Sequence, residues 1–509
     1  MKKLFSNKLT LAFMGLLIAF CHSGIARAQT ARRGSLGGAK PRQAGEPIRQ
    51  RQSVAKPAAE MPNIVGRIGD YVITKQELEK RLMIELYPRG YDSYNEQAEP
   101  VDAETVLKKM IAEKAMITEA RKQGYLKDET LDALIKRYKE RRLANLLLQK
   151  QLAPKLTVTE SEIQQKMKAD PKLDRARAEA MLKNTKRRSL FEQYYRQIYQ
   201  KFHVKKLSNN LLKAAQIHQR LLYSPKKPRK VGFIRTYQVK DELTPEEKNI
   251  VLAEYDNGKV TLKNWFDTLC NMAPPGRPGD LNTPKGVEQL LERTLQMPLL
   301  VSEARSLGLD KDENLLKQVR EYEDSRLLSK VKSEKYKKEV KEPTTDQTII
   351  YYDKNKELFR TDRTLKIDLI WCDDLKTARK AKAELDSGKD FESVRQKYSL
   401  EKKGKPFNTY PSGEGFFWKD LWKGDPNDIL GPIKGFYQNS IKWRIVKILE
   451  KKPGKVKGYS TDMERRAKER ILSEQREALL AQYSNELLKK YLYKVYTERI
   501  KDIDPLDIP

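Results

Sequence analysis

Thr364-Leu-Lys-Ile-Asp-Leu-Ile-Trp371 opens the stretch whose reading decides the fold, and the chain through Gly454 completes it. Its alternating apolar side chains, rich in β-branched and aromatic types, predict a strand. Leu375, Ala378, Ala381 and Leu385 then recur at helical spacing, and Gly388 closes that helix. Phe391, Val394 and Tyr398 predict a second, shorter helix behind Asp390. Pro411-Ser-Gly-Glu-Gly-Phe-Phe-Trp418 reads as a turn-rich segment, and Ile441-Lys-Trp-Arg-Ile-Val-Lys-Ile448 as a closing strand. Together these elements make one α+β domain.

With Leu430-Gly-Pro-Ile433 and Ile445-Val-Lys-Ile-Leu-Glu-Lys-Lys-Pro-Gly454 added, this order resembles a parvulin-type (PpiC) prolyl isomerase domain over residues 361–455. Prolyl isomerisation must break amide resonance, against a barrier of about 18–20 kcal/mol. The resemblance implies a proline pocket flanked by two histidines, one in the first strand and one in the last. Those positions fall on Asp368 and Arg444, so neither histidine is present. An anion and a cation on neighbouring strands predict an ion pair, a structural clasp where the family has imidazoles. Phe416, Phe417, Trp418, Leu421 and Trp422 are the peptide-binding candidates, with aromatic core packing as the alternative.

Upstream, Ile64 to Leu78 reads as strand, turn at Gly69-Asp70, strand and helix, with Thr74 and Glu77 spaced as a capping box. Met116-Ile-Thr-Glu-Ala-Arg-Lys-Gln-Gly124, a long helix to about Leu152, and Pro154-Lys-Leu-Thr-Val-Thr-Glu160 follow. These motifs resemble the N-terminal helical module of SurA-like periplasmic chaperones. The pattern then recurs. Ile250 to Phe266 repeats the strand, turn, strand and Thr-initiated helix, and Val301-Ser-Glu-Ala-Arg-Ser-Leu-Gly308 repeats the Glu-Ala-Arg stretch. Both triplets precede Gly and then Asp-Glu at a constant offset of 184, which reads as an internal duplication. Leu190-Phe-Glu-Gln-Tyr194 likewise resembles Leu479-Leu-Ala-Gln-Tyr483. In the resembled family a returning helix completes the bundle, so each of these helices is expected to pack on its own repeat.

The fold class is therefore mainly α with an α+β domain: two SurA-N-like helical modules, the second holding the parvulin-like domain as an insertion. The expected division is 1–28 signal peptide, 29–62 disordered basic tether, 63–212 first module and 213–245 linker. It continues with 246–360 second module, 361–455 parvulin-like domain and 456–509 a C-terminal helix completing the second module.

Met1 to Lys8 is basic, Leu9 to Phe20 is an apolar run too short to span a bilayer, and Ala26-Arg-Ala28 is a cleavage site. Phe20 argues against a lipid anchor at Cys21. The signal peptide implies the periplasm, with no transmembrane segment in the mature chain. Gln29 to Met61 has too few large apolar residues to offset chain entropy. The 102 Lys and Arg against 70 Asp and Glu, a formal charge of +32, raise polyanions as partners. In an envelope that means an anionic surface and not nucleic acid. Cys270 and Cys372 read as buried thiols, with a disulfide open. His203 and His218 show no metal or triad spacing, and no cofactor is implied.

Two functions of different class follow. One is an ATP-independent envelope chaperone for unfolded or nascent exported polypeptides, outer-membrane proteins among them, with a parvulin-like domain inactive as an isomerase. The alternative is an active peptidyl-prolyl isomerase assisting exported proteins. The missing histidines favour the first.

Overall fold

A computed structural model of the chain describes residues 63–86, 101–223, 233–361, 363–438 and 440–508. The expected signal peptide and basic tether lie outside the described residues. The first round of elements is β1 (Ile64–Ile68), β2 (Tyr71–Thr74), α1 (Lys75–Leu86), α2 (Ala103–Lys122), α3 (Glu129–Leu152), α4 (Glu160–Ala169), α5 (Arg175–Lys201) and β3 (Lys205–Lys206). Helices α6 (Ser208–Leu222) and α7 (Thr236–Glu242) lead into a second round. It comprises β4 (Val251–Tyr255), β5 (Gly258–Thr261), α8 (Leu262–Asn271), α9 (Pro284–Ser306), α10 (Glu313–Glu339) and α11 (Thr345–Lys354). Next come β6 (Thr364–Cys372), α12 (Leu375–Asp386), α13 (Phe391–Tyr398), β7 (Phe407–Thr409), α14 (Trp418–Trp422), β8 (Ile429–Tyr437) and β9 (Ser440–Lys452). The second round closes with α15 (Thr461–Lys490) and β10 (Tyr493–Val495). The chain is thus mainly helical, with one α+β domain set between α11 and α15.

Local chemistry repeats between the rounds. Thr74 and Thr261 both begin a helix with a reciprocal cap, to Glu77 and Asn264 respectively. Gly124 and Gly308 both take the left-handed conformation, φ +74° and +69°, where a helix must stop without a Cβ clash. Asp128 and Asp312 then each accept from a backbone N–H three residues on, at 2.9 and 3.1 Å, starting the long helices α3 and α10.

The described residues form two compact units, and the boundary between them falls inside α3 and α10. One unit holds Asp132–Tyr322. Its core gathers Trp265, Phe266, Leu290 and Leu291 with Phe191 and Ile198 of α5. The other holds residues through Leu131 together with Glu323 onward, including the α+β domain.

This division corrects the expected helix pairing. Helix α5 keeps its neighbour α4 but packs on α9 of the second round, and β3 pairs with β4. Helix α15 keeps α11 but packs on α2 of the first round, and β10 pairs with β1. The C-terminal helix thus completes the sheet and helix begun at Ile64, not those begun at Ile250. Both returning helices carry the same amphipathic pattern, and such a pattern fits either receiving surface.

The Glu-Ala-Arg triplets sit at these exchanged joints. Glu119 accepts from Lys490 Nζ and Tyr491 Oη, each at 2.7 Å, while Glu303 accepts from Lys201 Nζ at 2.6 Å. Ala120 and Ala304 are fully buried at the contact. Arg121 donates to Asp324 of α10 at 2.9 Å, and Tyr71 and Lys114 also donate to that buried carboxylate, at 3.1 and 3.3 Å.

Hydrogen bonds from Lys490 and Tyr491 hold the Glu119 carboxyl below its ordinary value of 4.5. A depressed carboxyl contributes stability that is present above its unfolded value and lost as pH falls through its folded one. Glu119→Gln is therefore expected to lower the melting temperature near about pH 7 and to cost progressively less towards about pH 3. A difference that stays constant across that range would show that the charge of Glu119 does not hold the joint.

The stretch 213–245 departs from the expected linker. Leu211, Ala214, Ala215, His218 and Leu221 line the inner face of α6, and Ile234, Val239 and Leu243 enter the same core. The basic Pro225-Lys-Lys-Pro-Arg-Lys230 run dominates the composition there and conceals the flanking helical periodicity; it lies outside the described residues. His218 packs beside both Trp265 and Phe266, and His203 pairs with Asp256 at 2.8 Å. Cys270 and Cys372 are free thiols. No described helix is long and apolar enough to cross a membrane.

Candidate functional site

The α+β domain is built on an antiparallel sheet of order β7-β6-β9-β8. Alternation along the strands gives it two faces. Ile370, Cys372 and Ile445 face α12 and α13, packing on Ala378, Ala381, Leu385, Phe391 and Val394. Leu365, Ile367, Val446 and Ile448 form the opposite face with Trp418 and Leu421.

Register separates Asp368 and Arg444, the two positions that the parvulin resemblance aligned with histidines. Asp368 lies opposite Lys447, whereas Arg444 lies opposite Trp371. Asp368 shares the helix-facing side with Ile370 and forms an ion pair with Arg395 of α13. Arg395 in turn donates to the carbonyls of Leu369 and Gly404, at 3.2 and 3.0 Å. Arg444 occupies the other face, and its pair is Glu414, at 2.7 Å with side chains 2% and 8% exposed. Thr409 Oγ1 donates to Glu414 at 2.6 Å, and the Arg444 guanidinium stands 5.3 Å from the Trp371 ring centre. Gly435 makes room for it: a Cβ there would come within 2.3 Å of Arg444 Nε. The expected Asp368–Arg444 pair is thus replaced by two separate clasps, because a strand sends successive side chains to opposite faces and these two fell on different ones. Glu414, the true partner, ends a single helical turn, Pro411–Glu414, where strand alternation carries no signal.

Four of the five peptide-binding candidates are core. Phe416, Phe417, Trp418 and Leu421 are all buried, and Phe417 makes an edge contact with Phe436. Trp422 is half-buried against Trp418, with Arg363 and Lys451 over its ring. Four of the five therefore offer little surface to a peptide. Among the described residues no cluster of three or more His, Cys, Asp or Glu side chains gathers to hold a metal.

A groove that sequence reading missed lies in the same unit, along α10 and α15. One cleft of about 450 Å³ is lined by Tyr125, Val331, Lys335, Tyr483, Leu487 and Lys490, among others. A second of about 450 Å³ adjoins it through Glu339 and reaches Gln347, Gln475, Leu479 and Gln482. Val331 and Leu487 give the first cleft an apolar floor, and its lining also holds lysines and glutamates. Burial pushes the Tyr483 phenol up to about 12, and Lys335 sits 4.4 Å from its ring centre. The correspondence of Tyr483 with Tyr194 was the available signal; it marked the helix and not the space beside it.

No family model and no curated protein matches the chain. Among solved structures, a chain from work on PEB4 and Cj1289, two SurA-like chaperones of Campylobacter jejuni, aligns at 14% identity and a TM-score of 0.23, over 47% of this chain and 98% of its own. The foldase protein PrsA of Streptococcus pneumoniae aligns at 17% identity and a TM-score of 0.24, over 37% and 73%. PrsA of Bacillus subtilis aligns at 18% identity and a TM-score of 0.17, over 48% and 93%. Parts of this chain are thus similar to solved structures of SurA-like chaperones and PrsA foldases.

Proposed function

We propose that this protein is an ATP-independent chaperone of the bacterial envelope, holding unfolded exported polypeptides, outer-membrane proteins among them. The observation that carries the reading is the groove along α10 and α15, whose first cleft has Val331 and Leu487 at its floor, Tyr125 and Tyr483 in its wall and charges of both signs around it, and whose second cleft adds the amides of Gln347, Gln475 and Gln482. Such a lining takes extended segments of varied sequence, because no single charge or shape is demanded. The periplasmic site rests on the Met1–Ala28 leader motif, and the recurring elements are read as an internal duplication. The parvulin-like domain does not isomerise in this reading, since Arg444 is committed to Glu414 and Asp368 to Arg395.

A photo-crosslinking residue at Tyr483 or Gln475 is expected to capture an unfolded outer-membrane protein, while one at Tyr237, in the other unit, captures little. The same chain is expected to suppress aggregation of that client and to leave prolyl tetrapeptide isomerisation at its uncatalysed rate. Equal capture at all three positions would sink the groove assignment; turnover of the tetrapeptides would favour the isomerase alternative.

A further inference from the structure

The sheet's β8 edge carries a lysine whose partners come from far along the chain. Lys434 Nζ donates to the carbonyl of Leu506 at 2.8 Å and pairs with the Asp507 carboxylate at 3.2 Å. Its side chain is only 17% exposed, and its ammonium stands 5.3 Å from the ring centre of Trp443, its register neighbour on β9. This surface lies on the helix-facing side of the sheet, opposite to Arg444.

The segment seated there has its own shape. Asp504 accepts from Leu506 N through Oδ1 at 2.8 Å and from Asp507 N through its carbonyl at 3.0 Å, forming a local turn. Ile508 is buried, and upstream Tyr496 and Ile500 anchor the chain by burial. The contact to Lys434 is of a different kind: a carbonyl and a carboxylate that is 75% exposed. Contacts of that sort are weak and exchangeable. They are held here by tethering, which supplies a high effective concentration.

We propose that the Lys434–Trp443 surface is a second peptide site, specific for short acidic–apolar segments of the Leu-Asp-Ile kind, and that residues 504–508 occupy it as a built-in competitor. A carbonyl and a carboxylate on one ammonium, beside an indole face, select an acidic residue directly after an exposed main-chain carbonyl. A client segment with that chemistry displaces the resident one. The site stands apart from the α10–α15 groove and does not depend on it.

The probe is a fluorescein-labelled peptide of sequence Ile-Asp-Pro-Leu-Asp-Ile-Pro, followed by anisotropy. It is expected to bind a chain ending at Asp502 at least about tenfold more tightly than the whole chain, which carries its own competitor. Lys434→Ala in the shortened chain is expected to remove about tenfold or more of that affinity, and added salt to weaken it. Equal affinity for whole and shortened chains overturns the proposal. So does binding that Lys434→Ala leaves unchanged, or failure of a shortened chain of unaltered melting temperature to bind. Should shortening unfold the chain, Asp507→Lys in the whole chain serves instead. It repels Lys434, frees the surface and is expected to raise probe binding; unchanged binding in that folded variant overturns the proposal equally.

Discussion

Residues 63–212 alone, the span expected from sequence to form the first module, are expected not to fold cooperatively. Cutting there removes α15, which packs along α2, and β10, which completes the sheet on β1. The same cut strips α9 from α5, leaving Phe191 and Ile198 without the surface that buries them. Each large apolar side chain returned to water costs about 1.5–3 kcal/mol. A domain has only about 5–15 kcal/mol of net stability in all, so a few such losses suffice. Circular dichroism on heating should show a broad, non-cooperative change, against a sharp transition for residues 63–509. A sharp transition for the fragment would mean that each repeat can close on itself and that the exchange is not obligatory.

Glu414→Ala should destabilise the α+β domain by about 3–5 kcal/mol, the usual cost of leaving one member of a buried ion pair without its partner. Arg444 has nowhere else to go: it is walled by Trp371 and by Gly435, and the pair is almost fully buried. Removing both charges, with Glu414→Leu and Arg444→Met, should recover most of that loss, because an apolar pair of similar volume avoids the desolvation penalty. Urea unfolding of the three chains separates the outcomes. A loss below about 1 kcal/mol for Glu414→Ala would mean that the pair behaves as an exposed one. By the same geometry, Asp368→His combined with Arg444→His should not produce prolyl isomerase activity. The two imidazoles would leave opposite faces of the sheet and could not share one substrate.

Much of this fold was legible in the sequence because it is local. The caps at Thr74 and Asp390, the glycine stop at Gly124 and its counterpart Gly308, and the inner faces of α12 and α13 depend on residues within one or two turns. Alternation along Ile441–Ile448 is legible in the same way, with Ile445 on one face and Val446 and Ile448 on the other. The recurring Glu-Ala-Arg triplet was visible for the same reason: a constant spacing needs no knowledge of contacts.

Tertiary structure alone decided who meets whom. Asp368 and Arg444 looked like partners in an alignment, yet sheet register sent them to Arg395 and Glu414 on opposite faces. The aromatic run from Phe416 to Trp422 reads the same whether it lines a pocket or fills a core, and only the packing of α14 under the sheet made it core. The meaning of the triplets was hidden too. Glu119 and Glu303 each clasp a lysine from the opposite round, Lys490 and Lys201. A sequence carries the amphipathic face of each helix, and that face is satisfied by any complementary surface. Chain connectivity through α3 and α10 chose between two equivalent surfaces, and connectivity in space is not written at any single position.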